Sequence, residues 1–425
     1  MQLKPYWLDG VSWDQVVSKG ALPERCDVAI VGGGFTGLSA ALALTRQGAS
    51  VTLLEAGSIV GGASGRNGGH CNNGLSGSFH AACQALGKER AAFYYRTFDA
   101  AVDTVERLVD EHRIGCHFRR CGKILLASKP KHFAALERAH RALSQGVDDR
   151  ARLVKPGAIT DEVNSAAFHG GLVFERSAQL HVGLFGAGLA RAALDQGALL
   201  HERTEVEQIE RSGAGAFTVK TARGSLGAEK VLMATGAYSG QAMKFLTRRI
   251  LPIGSFIVAT EPLSKDQIAS IMPTRRNAVT TLNVGNYFRL SHDDRLIFGG
   301  RARFAPSNPV SDRKSGAVLQ RGLLAFFPQL AGVRIDYCWG GLVDVTQDRL
   351  PRAGQHDGLY YAAGYSGHGV QMSVHMGQVM ARVMSGDQEA NPWKDLDWPE
   401  IPMQWAREWF LPIVGLYYRG LDLIR

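Results

Sequence analysis

A glycine-rich turn and a later acidic residue are the side chains of this sequence best suited to holding a ligand. Gly32, Gly34 and Gly37 follow the apolar run 28–31. Such glycines permit a tight turn, a close approach of backbone to pyrophosphate and close packing of a helix on a strand. Glu55 follows the next apolar run, where a carboxylate accepts hydrogen bonds from adenosine ribose hydroxyls and repels a 2′-phosphate. This spacing predicts a dinucleotide site.

Two further glycine-rich segments have the composition of ligand-binding loops. The first spans 57–77 and contains the run GGASGRNGG at 61–69. A loop of this length inside a compact domain usually binds something. The second, 364–369, connects an apolar run to a helical pattern, so its N–H groups can stabilise negative charge on a ligand. These features alone leave both NAD and FAD open.

The elements that must position these loops follow from hydrophobic periodicity. Helices are predicted at 35–47, 80–112, 130–145, 184–196 and 370–384. Strands are predicted at 28–31, 51–54, 122–127, 199–209, 217–220, 231–234, 250–260, 287–290, 295–299 and 359–363. Alternation of strands and helices around the glycine turn, followed by a strand-rich stretch, predicts an α/β protein of the two-domain, α+β type. Residues 1–24 lack a period and are predicted to pack along the surface as an arm.

Composition narrows the function classes. The chain has 425 residues and a net charge of +9, but Lys and Arg are dispersed, so nucleic-acid binding has little support. The six cysteines form no metal-ligand spacing, and we predict no metal site and reduced thiols in a cytoplasmic protein. No apolar window reaches the roughly 20 residues of a membrane-spanning helix.

The GASGRNGG segment resembles the FAD-dependent D-amino acid oxidase-like (DAO) superfamily, and it is most similar to the γ-glutamylputrescine oxidase branch. The resemblance covers nearly the whole chain. It also includes YFRL at 287–290 with RLIFGG at 295–300, FPQL at 327–330 with VRIDY at 333–337, and GYSGHG at 364–369.

The resemblance implies FAD as the cofactor and also implies which residues hold it. The implied FAD-binding residues are Gly32, Gly34, Phe35, Thr36, Gly37, Glu55, Ala56, Ala63, Ser64, Arg66, Asn67, Gly68, Gly69, Val206, Gly236, Gly364, Ser366, Gly367, His368, Gly369 and Val370. Candidate catalytic residues are Arg66, His368 and Tyr365. Arg66 faces either a phosphate or a substrate carboxylate, or is a surface arginine.

The same resemblance divides the chain into a Rossmann-like FAD-binding domain and a substrate domain built on an antiparallel sheet. The FAD-binding domain is expected at 25–85, 184–245 and 336–390. The substrate domain is expected at 246–335, with a mainly helical insertion at 86–183. Residues 391–425 form a C-terminal aromatic and basic tail.

The implied reaction is oxidation of an amine C–N bond, with hydride transfer to flavin N5 and hydrolysis of the imine to aldehyde and ammonia. The implied substrate is γ-glutamylputrescine or a related γ-glutamyl polyamine, with oxygen or quinone as electron acceptor. Two alternatives stay open: an oxidase or dehydrogenase of a secondary or cyclic amino acid, of the pipecolate or sarcosine type, and a membrane-associated dehydrogenase that reduces quinone. A noncatalytic FAD-binding protein is the remaining possibility.

Three positions depart from the sarcosine-type relatives. Gln371 replaces a lysine that clamps the substrate carboxylate, and the strand 296–298 lacks the lysine that promotes reaction with oxygen. Alignment on Asp348 places Gly341, rather than Cys338, at the position of the flavin-anchoring cysteine. We therefore predict noncovalent FAD and a buried Cys338 thiol. The choice between an oxidase and a dehydrogenase stays open.

The end of the chain is rich in aromatic and basic residues. They are Trp405, Arg407, Trp409, Phe410, Leu411, Tyr417, Tyr418, Arg419 and Arg425. This segment is predicted to pack on the enzyme's own core, with peripheral contact to the inner face of the membrane as the alternative.

Overall fold

A computed structural model describes residues 1–402 apart from 14, 214, 241–242 and 301–306, together with Gly420 and Asp422. The aromatic and basic tail residues predicted above therefore lie outside the described residues. The helices are α1 Phe35–Arg46, α2 Ala63–Arg66, α3 Phe79–Leu86, α4 Lys88–Glu111, α5 Pro130–Ser144, α6 Val182–Asp195, α7 Lys244–Thr247, α8 Lys265–Ile271, α9 Pro309–Phe326 and α10 Gly369–Met384.

The strands form two large sheets and one small one. The first nine are β1 Arg25–Val31, β2 Val51–Leu54, β3 His70–Cys71, β4 Arg119–Arg120, β5 Lys123–Leu126, β6 Arg152–Val154, β7 Gly171–Phe174, β8 Ala178–Gln179 and β9 Leu199–His201. The others are β10 Val206–Ser212, β11 Ala216–Thr221, β12 Gly224–Met233, β13 Leu251–Pro262, β14 Asn277–Thr280, β15 Asn286–Leu290, β16 Arg295–Gly300, β17 Ile335–Val345, β18 Arg352–His356 and β19 Leu359–Ala363.

The first sheet has the parallel centre expected of a dinucleotide-binding fold. Its order is β10-β11-β12-β1-β2-β9, and β19 pairs in parallel with the end of β12. The last four residues of β1, 28–31, are all buried, which explains their uninterrupted apolar character. Because β1, β2, β12 and β19 run in the same direction, the loops after them meet at one edge of the sheet.

Two helices that pack on this sheet, α1 and α10, also approach each other closely. On α10, Gly377 lies against α1, and a Cβ added there would be 2.6 Å from the Thr36 carbonyl oxygen. The Ser39 hydroxyl donates to the Val374 carbonyl at 2.6 Å. The helix that begins at the first glycine turn is thereby packed on the helix that begins at the last one.

The second sheet has the order β17-β13-β16-β15-β14-β5-β7-β6. Its neighbouring strands are antiparallel except for the parallel pair β14 and β5. A mixed α/β fold with a Rossmann-like sheet and a second, largely antiparallel sheet is therefore confirmed. The domain boundaries stay predictions, and β17 is in the second sheet although most of it follows the boundary predicted at residue 336.

Two parts of the chain differ from the sequence-based expectation. The segment 1–24 is not a surface arm throughout, because Trp7 is completely buried in the main core and Tyr6 nearly so. Gln2 forms a bridge with Tyr337 at the edge of the second sheet. The long loop at 57–77 contains the short helix α2 and strand β3, which its many glycines obscured.

The six cysteines are free thiols, and four of them are buried. Among the helices in the described residues, none is long and apolar enough to cross a membrane.

Candidate active site

A large cavity, about 1700 Å³, is lined by the edge of the first sheet and by one face of the second. Ligand pockets usually measure about 300–1,000 Å³, so this cavity has room for a cofactor and a substrate together. Of the predicted site residues, all but Gly37, Gly69 and Gly364 line it. The three exceptions are backbone positions that shape its wall.

The first glycine turn forms one end of the cavity. Gly32 has φ +112°, and a Cβ there would be 2.6 Å from the Ala234 carbonyl oxygen, so the position requires glycine. A Cβ on Gly37 would be 2.0 Å from the Gly32 carbonyl oxygen. The turn is thus compressed against β12 and α1, and Gly34, Phe35 and Thr36 at the N-terminus of α1 line the cavity, where a helix N-terminus favours binding of a pyrophosphate.

Glu55 follows β2 and ties two turns together. Its carboxylate accepts N–H donors from Gly33 and Gly57, each at 2.7 Å. Because a carboxylate has about four acceptor positions, it retains capacity for ribose hydroxyls. Val206, one of the implied FAD-binding residues, also lines the cavity, at the start of β10.

The GASGRNGG segment forms α2 and the loop after it. The Ser64 hydroxyl accepts the N–H of Phe35 at 3.0 Å, which links this segment to the first glycine turn. The Asn67 side chain donates to the Ser64 carbonyl at 2.8 Å and accepts the N–H of Gly69 at 2.8 Å. The backbone between α2 and β3 is thereby held in a fixed curve along the cavity wall.

Arg66 lies partly buried in this wall. Its Nε donates to the Gly61 carbonyl at 2.9 Å and its Nη1 to the Gly340 carbonyl at 3.0 Å. The surface-arginine interpretation is therefore wrong, since the guanidinium joins the loop to β17. Two of its three nitrogens already serve backbone carbonyls, which restricts how it can face a ligand.

Arg289, within the YFRL motif on β15, holds the loop between α2 and β3 in place. It is only 2% exposed, and its guanidinium donates to the carbonyls of Gly68 at 2.7 Å and Leu180 at 2.8 Å. It lies 4.9 Å from the Trp7 ring centre. Gly69 leaves room for this contact, because a Cβ there would be 2.0 Å from an Arg289 nitrogen. The sequence identified the motif, but not that its arginine positions the cofactor loop.

The last glycine loop closes the cavity between β19 and α10. Asp344 on β17 accepts the Gly364 N–H at 2.6 Å, and Ser366, at φ +51°, donates its own N–H to the Asp344 carbonyl at 2.9 Å. Burial raises the pKa of the Asp344 carboxyl to about 6. This acid holds the loop that leads into α10. No sequence motif indicated it.

The catalytic candidates Tyr365 and His368 differ in their hydrogen bonds. The Tyr365 hydroxyl is 2.7 Å from the Thr36 hydroxyl and joins α1 to the last glycine loop. His368 lines the cavity as the residue before α10, and burial lowers its pKa to about 3. Its Nδ1 is buried and has no hydrogen-bond partner among the residues that the structure describes. A neutral imidazole with a free nitrogen is thus available to a ligand.

These features fit a flavin dinucleotide. The glycine turn has backbone positions that no Cβ can occupy, Glu55 stands where a ribose would be bound, and two further loops present amides to the same cavity. Residues 27–383 match the DAO family, described as FAD dependent oxidoreductase.

The chain belongs to this family. It is 33% identical to the gamma-glutamylputrescine oxidoreductase of Escherichia coli (strain K12) over 366 residues, which cover 86% of this chain and 84% of that protein. It is 30% identical to a probable oxidoreductase, OrdL, of Haemophilus influenzae over 393 residues, with 91% of this chain and 89% of that protein covered.

A solved structure of glycine oxidase from Geobacillus kaustophilus shares the fold, with a TM-score of 0.72 at 23% identity and coverage of 85% of this chain and 95% of that one. The predicted family is confirmed. This DAO-family protein is an enzyme, an FAD-dependent oxidoreductase related to amine and amino-acid oxidases.

The three departures from the sarcosine-type relatives have clear locations. Cys338 is completely buried, donates to the Asp312 carbonyl at 3.1 Å and does not line the cavity. Gly341 does line it. Gln371 is buried, donates to the Asn72 carbonyl and is not among the residues that line the cavity. The side chains of the strand 296–298 are buried in the core.

The far half of the cavity was not anticipated from the sequence. Six buried side chains from α3, α4, α5 and β7 form its wall, and we call them the apolar chamber: Phe79, Tyr95, Leu136, Leu143, Leu172 and Phe174. Lys123 on β5 lines the cavity beside them. A lysine at the start of the otherwise apolar strand KILL is the one signal that could have drawn attention to it.

Proposed function

We propose that this enzyme oxidises the C–N bond of a primary amine in γ-glutamylputrescine or a related γ-glutamyl polyamine, giving an imine that water hydrolyses to aldehyde and ammonia. The observation that carries the proposal is one cavity shared by the cofactor loops and the apolar chamber. The 33% identity with a gamma-glutamylputrescine oxidoreductase over most of both chains supports this substrate. The route would belong to putrescine degradation.

The residues of the proposed cofactor site have separable tasks. Bound FAD supplies the electron acceptor for the C–N oxidation. The first glycine turn and Glu55 would hold its dinucleotide portion, while the loops at 66–69 and 366–369 would hold the flavin portion without a covalent bond. Asn67 and Arg289 keep the first of these loops in place through backbone contacts.

The apolar chamber accounts for activation of the amine. An amine must be neutral for its lone pair to assist loss of hydride, and desolvation in apolar surroundings lowers the pKa of an ammonium group. The chamber supplies such surroundings through Phe79, Phe174 and three leucines. His368 and His70, whose pKa values burial lowers to about 3, stay neutral and add no positive charge that would repel the substrate.

A second candidate is oxidation of a secondary or cyclic amino acid of the pipecolate or sarcosine type. Lys123 is compatible with it, because a cation in the cavity suits a substrate carboxylate, although a γ-glutamyl carboxylate suits this cation equally well. Gln371 speaks against the sarcosine-type arrangement, since it is buried and engaged with Asn72.

Anaerobic reduction of the bound flavin distinguishes these substrates. The purified holoenzyme would be mixed with γ-glutamylputrescine, putrescine, pipecolate or sarcosine while the flavin absorbance is followed. We expect bleaching by γ-glutamylputrescine. Bleaching by pipecolate but not by γ-glutamylputrescine would show that the second candidate is correct.

The electron acceptor, oxygen or quinone, is tested separately. Stoichiometric hydrogen peroxide in detergent-free buffer identifies an oxidase, and turnover only with a soluble quinone identifies a dehydrogenase. We place the enzyme in the cytoplasm, because its free, largely buried thiols suit a reducing compartment. Peripheral contact with the membrane is the alternative that goes with the quinone outcome.

A further inference from the structure

Lys123 is a buried cation that has no role in the proposed cofactor site. It begins β5 in the interior of the second sheet, opposite Asn277 on β14 and Phe174 on β7. The residue is 9% exposed and lines the cavity beside the apolar chamber. Burying an ammonium group is costly unless its charge meets a partner, so its position calls for an explanation.

The contacts of Lys123 leave part of its ammonium group available. Its Nζ donates to the Asn73 carbonyl and lies 4.5 Å from the centre of the Phe174 ring. A lysine has three N–H donors, so one carbonyl does not satisfy it. Within the part of the chain that the structure describes, Nζ forms no ion pair with a carboxylate.

The acidic groups near Lys123 are engaged elsewhere. Asp99 accepts the Asn73 side chain at 2.9 Å and lies 3.5 Å from the Arg176 guanidinium. Asp148 accepts the Tyr95 hydroxyl at 2.8 Å. Neither acid lines the cavity, but the negative charges of both raise the pKa of Lys123 and so favour its charged form. Burial has the larger effect and lowers the lysine pKa to about 8, which still leaves the group mainly protonated at neutral pH.

The cavity carboxylates lie on the cofactor side. Glu55 is bound by Gly33 and Gly57, and Asp344 is bound by Gly364. Glu205 and Glu207 belong to the start of β10 in the first sheet. Among the described residues that line the cavity, the chamber side therefore presents a positive charge without an acid to neutralise it.

Lys123 also lies near the position where Gln371 replaces a lysine. The side chains of Lys123 and Gln371 donate to the carbonyls of consecutive residues, Asn73 and Asn72. β5 therefore places a cation at the cavity wall, close to the position where α10 has glutamine.

We infer that Lys123 binds a carboxylate of the substrate, so that the amines oxidised in this cavity also bear a carboxylate. The inference rests on the proposed function as an amine oxidoreductase. The apolar chamber then packs against the methylene chain, and the ion pair to Lys123 fixes the other end of the molecule. Lys123 is accordingly a specificity-determining residue.

The test measures binding of two unreactive probes to the holoenzyme. The monobutylamide of glutaric acid has a carboxylate, an amide and a butyl chain but no amine, and its primary-amide counterpart lacks only the charge. Changes in flavin absorbance report binding. We expect the wild-type enzyme to bind the acid roughly 10- to 100-fold more tightly than the neutral amide, the ratio typical of a charge-assisted hydrogen bond. Equal affinity for the two probes in the wild-type enzyme would overturn the inference without any variant.

Two variants locate the preference. Lys123→Gln retains a donor for the Asn73 carbonyl but removes the charge, and we expect it to bind both probes with equal affinity. Lys123→Arg retains the charge and should keep a measurable preference for the acid. Flavin content and melting temperature establish that each variant is folded. A Lys123→Gln enzyme that keeps the full preference contradicts the assignment, as does one that only reacts more slowly with oxygen after reduction.

The outcome is independent of the proposed substrate because neither probe is oxidised. If γ-glutamylputrescine fails to reduce the flavin while the acid preference depends on Lys123, the substrate proposal is wrong and the carboxylate site stands. If γ-glutamylputrescine is oxidised but the preference is absent, the substrate proposal stands and the role of Lys123 is wrong.

Discussion

Glu55 uses its charge to fix the backbone, and we propose that it also binds a ribose. Its carboxylate accepts the N–H groups of Gly33 and Gly57. In Glu55→Gln, one of those N–H groups faces an amide NH₂ and loses its acceptor. Loss of a charge-assisted hydrogen bond costs about 1.5–3 kcal/mol. We expect the Kd of FAD, titrated into apoenzyme, to rise roughly 10- to 100-fold. The exposed Glu229→Gln on β12 is the control, and an unchanged Kd in Glu55→Gln would refute the role of this acid.

Arg289 is a buried cation whose partners are carbonyls instead of carboxylates. Its planar guanidinium reaches Gly68 and Leu180 at once, a geometry that a lysine ammonium cannot reproduce. We expect Arg289→Lys to lower the free energy of unfolding by about 3 kcal/mol and to lose flavin during purification. Denaturant unfolding and the ratio of flavin to protein absorbance measure the two effects. Arg321→Lys, exposed on α9, should change neither, and a stable Arg289→Lys enzyme that retains its full content of FAD would contradict this interpretation.

Asp344 makes stability depend on pH. Burial raises its pKa to about 6, so between about pH 4 and 6 the native state binds its proton more tightly than the unfolded chain does. Its contribution to the free energy of unfolding is therefore greatest at low pH and falls as the pH rises to about 6. In Asp344→Asn this dependence is absent, so the variant should gain stability relative to the wild type by up to about 3 kcal/mol from pH 4 to 7. Chemical unfolding at several pH values tests this, with exposed Asp161→Asn as control. A constant difference would show that Asp344 does not titrate in this range.

At the scale of elements, the packing of α10 on α1 depends on Gly377. A Cβ there would be 2.6 Å from the Thr36 carbonyl and 2.7 Å from the Ser39 Cβ. We expect Gly377→Ala to destabilise the protein by about 2–3 kcal/mol, as overpacking does. Gly322, in the interior of α9, is the matched control, because its Cβ would meet Phe298 at 3.6 Å, an ordinary contact. Gly322→Ala should be neutral or stabilising by about 1 kcal/mol from helix propensity. Equal melting temperatures for the two variants would rule out tight helix packing at Gly377.

Elements with a clear local period were predictable, and elements defined by distant contacts were not. Strand β2 was predicted at the residues where it occurs, since a short apolar run stands between a glycine turn and an acid. Helix α9 was missed, because Ser311, Ser315 and Gly316 are buried positions that look polar or small in sequence. The proposed FAD loops were located by their glycines, whereas Lys123 gains its environment from Asn73 and Phe174, which no local pattern connects to it.

For the whole molecule, cofactor and fold are thermodynamically linked. The cavity wall combines loops from both large sheets, so FAD binds only the native arrangement. At a free concentration 100 times its Kd, such a ligand stabilises the native state by about 2.7 kcal/mol. We expect apoenzyme to melt at a lower temperature than holoenzyme, and added FAD to restore the difference in a concentration-dependent way. Scanning calorimetry measures this, with added riboflavin, which lacks the pyrophosphate and adenosine, as the weaker control. Identical melting curves with and without FAD would refute the linkage.

The parallel pairing of β1 with β12 and of β12 with β19 has a consequence for biosynthesis. The first glycine turn, at Gly32, leaves the ribosome more than 300 residues before the loop at Gly367. At about 5–20 residues per second, this gap lasts on the order of tens of seconds. During that time α1 lacks the helix that covers it, and β12, once synthesised, lacks its neighbour β19. A nascent chain thus exposes apolar surface until its final quarter is made, and its flavin is acquired only after translation is nearly complete.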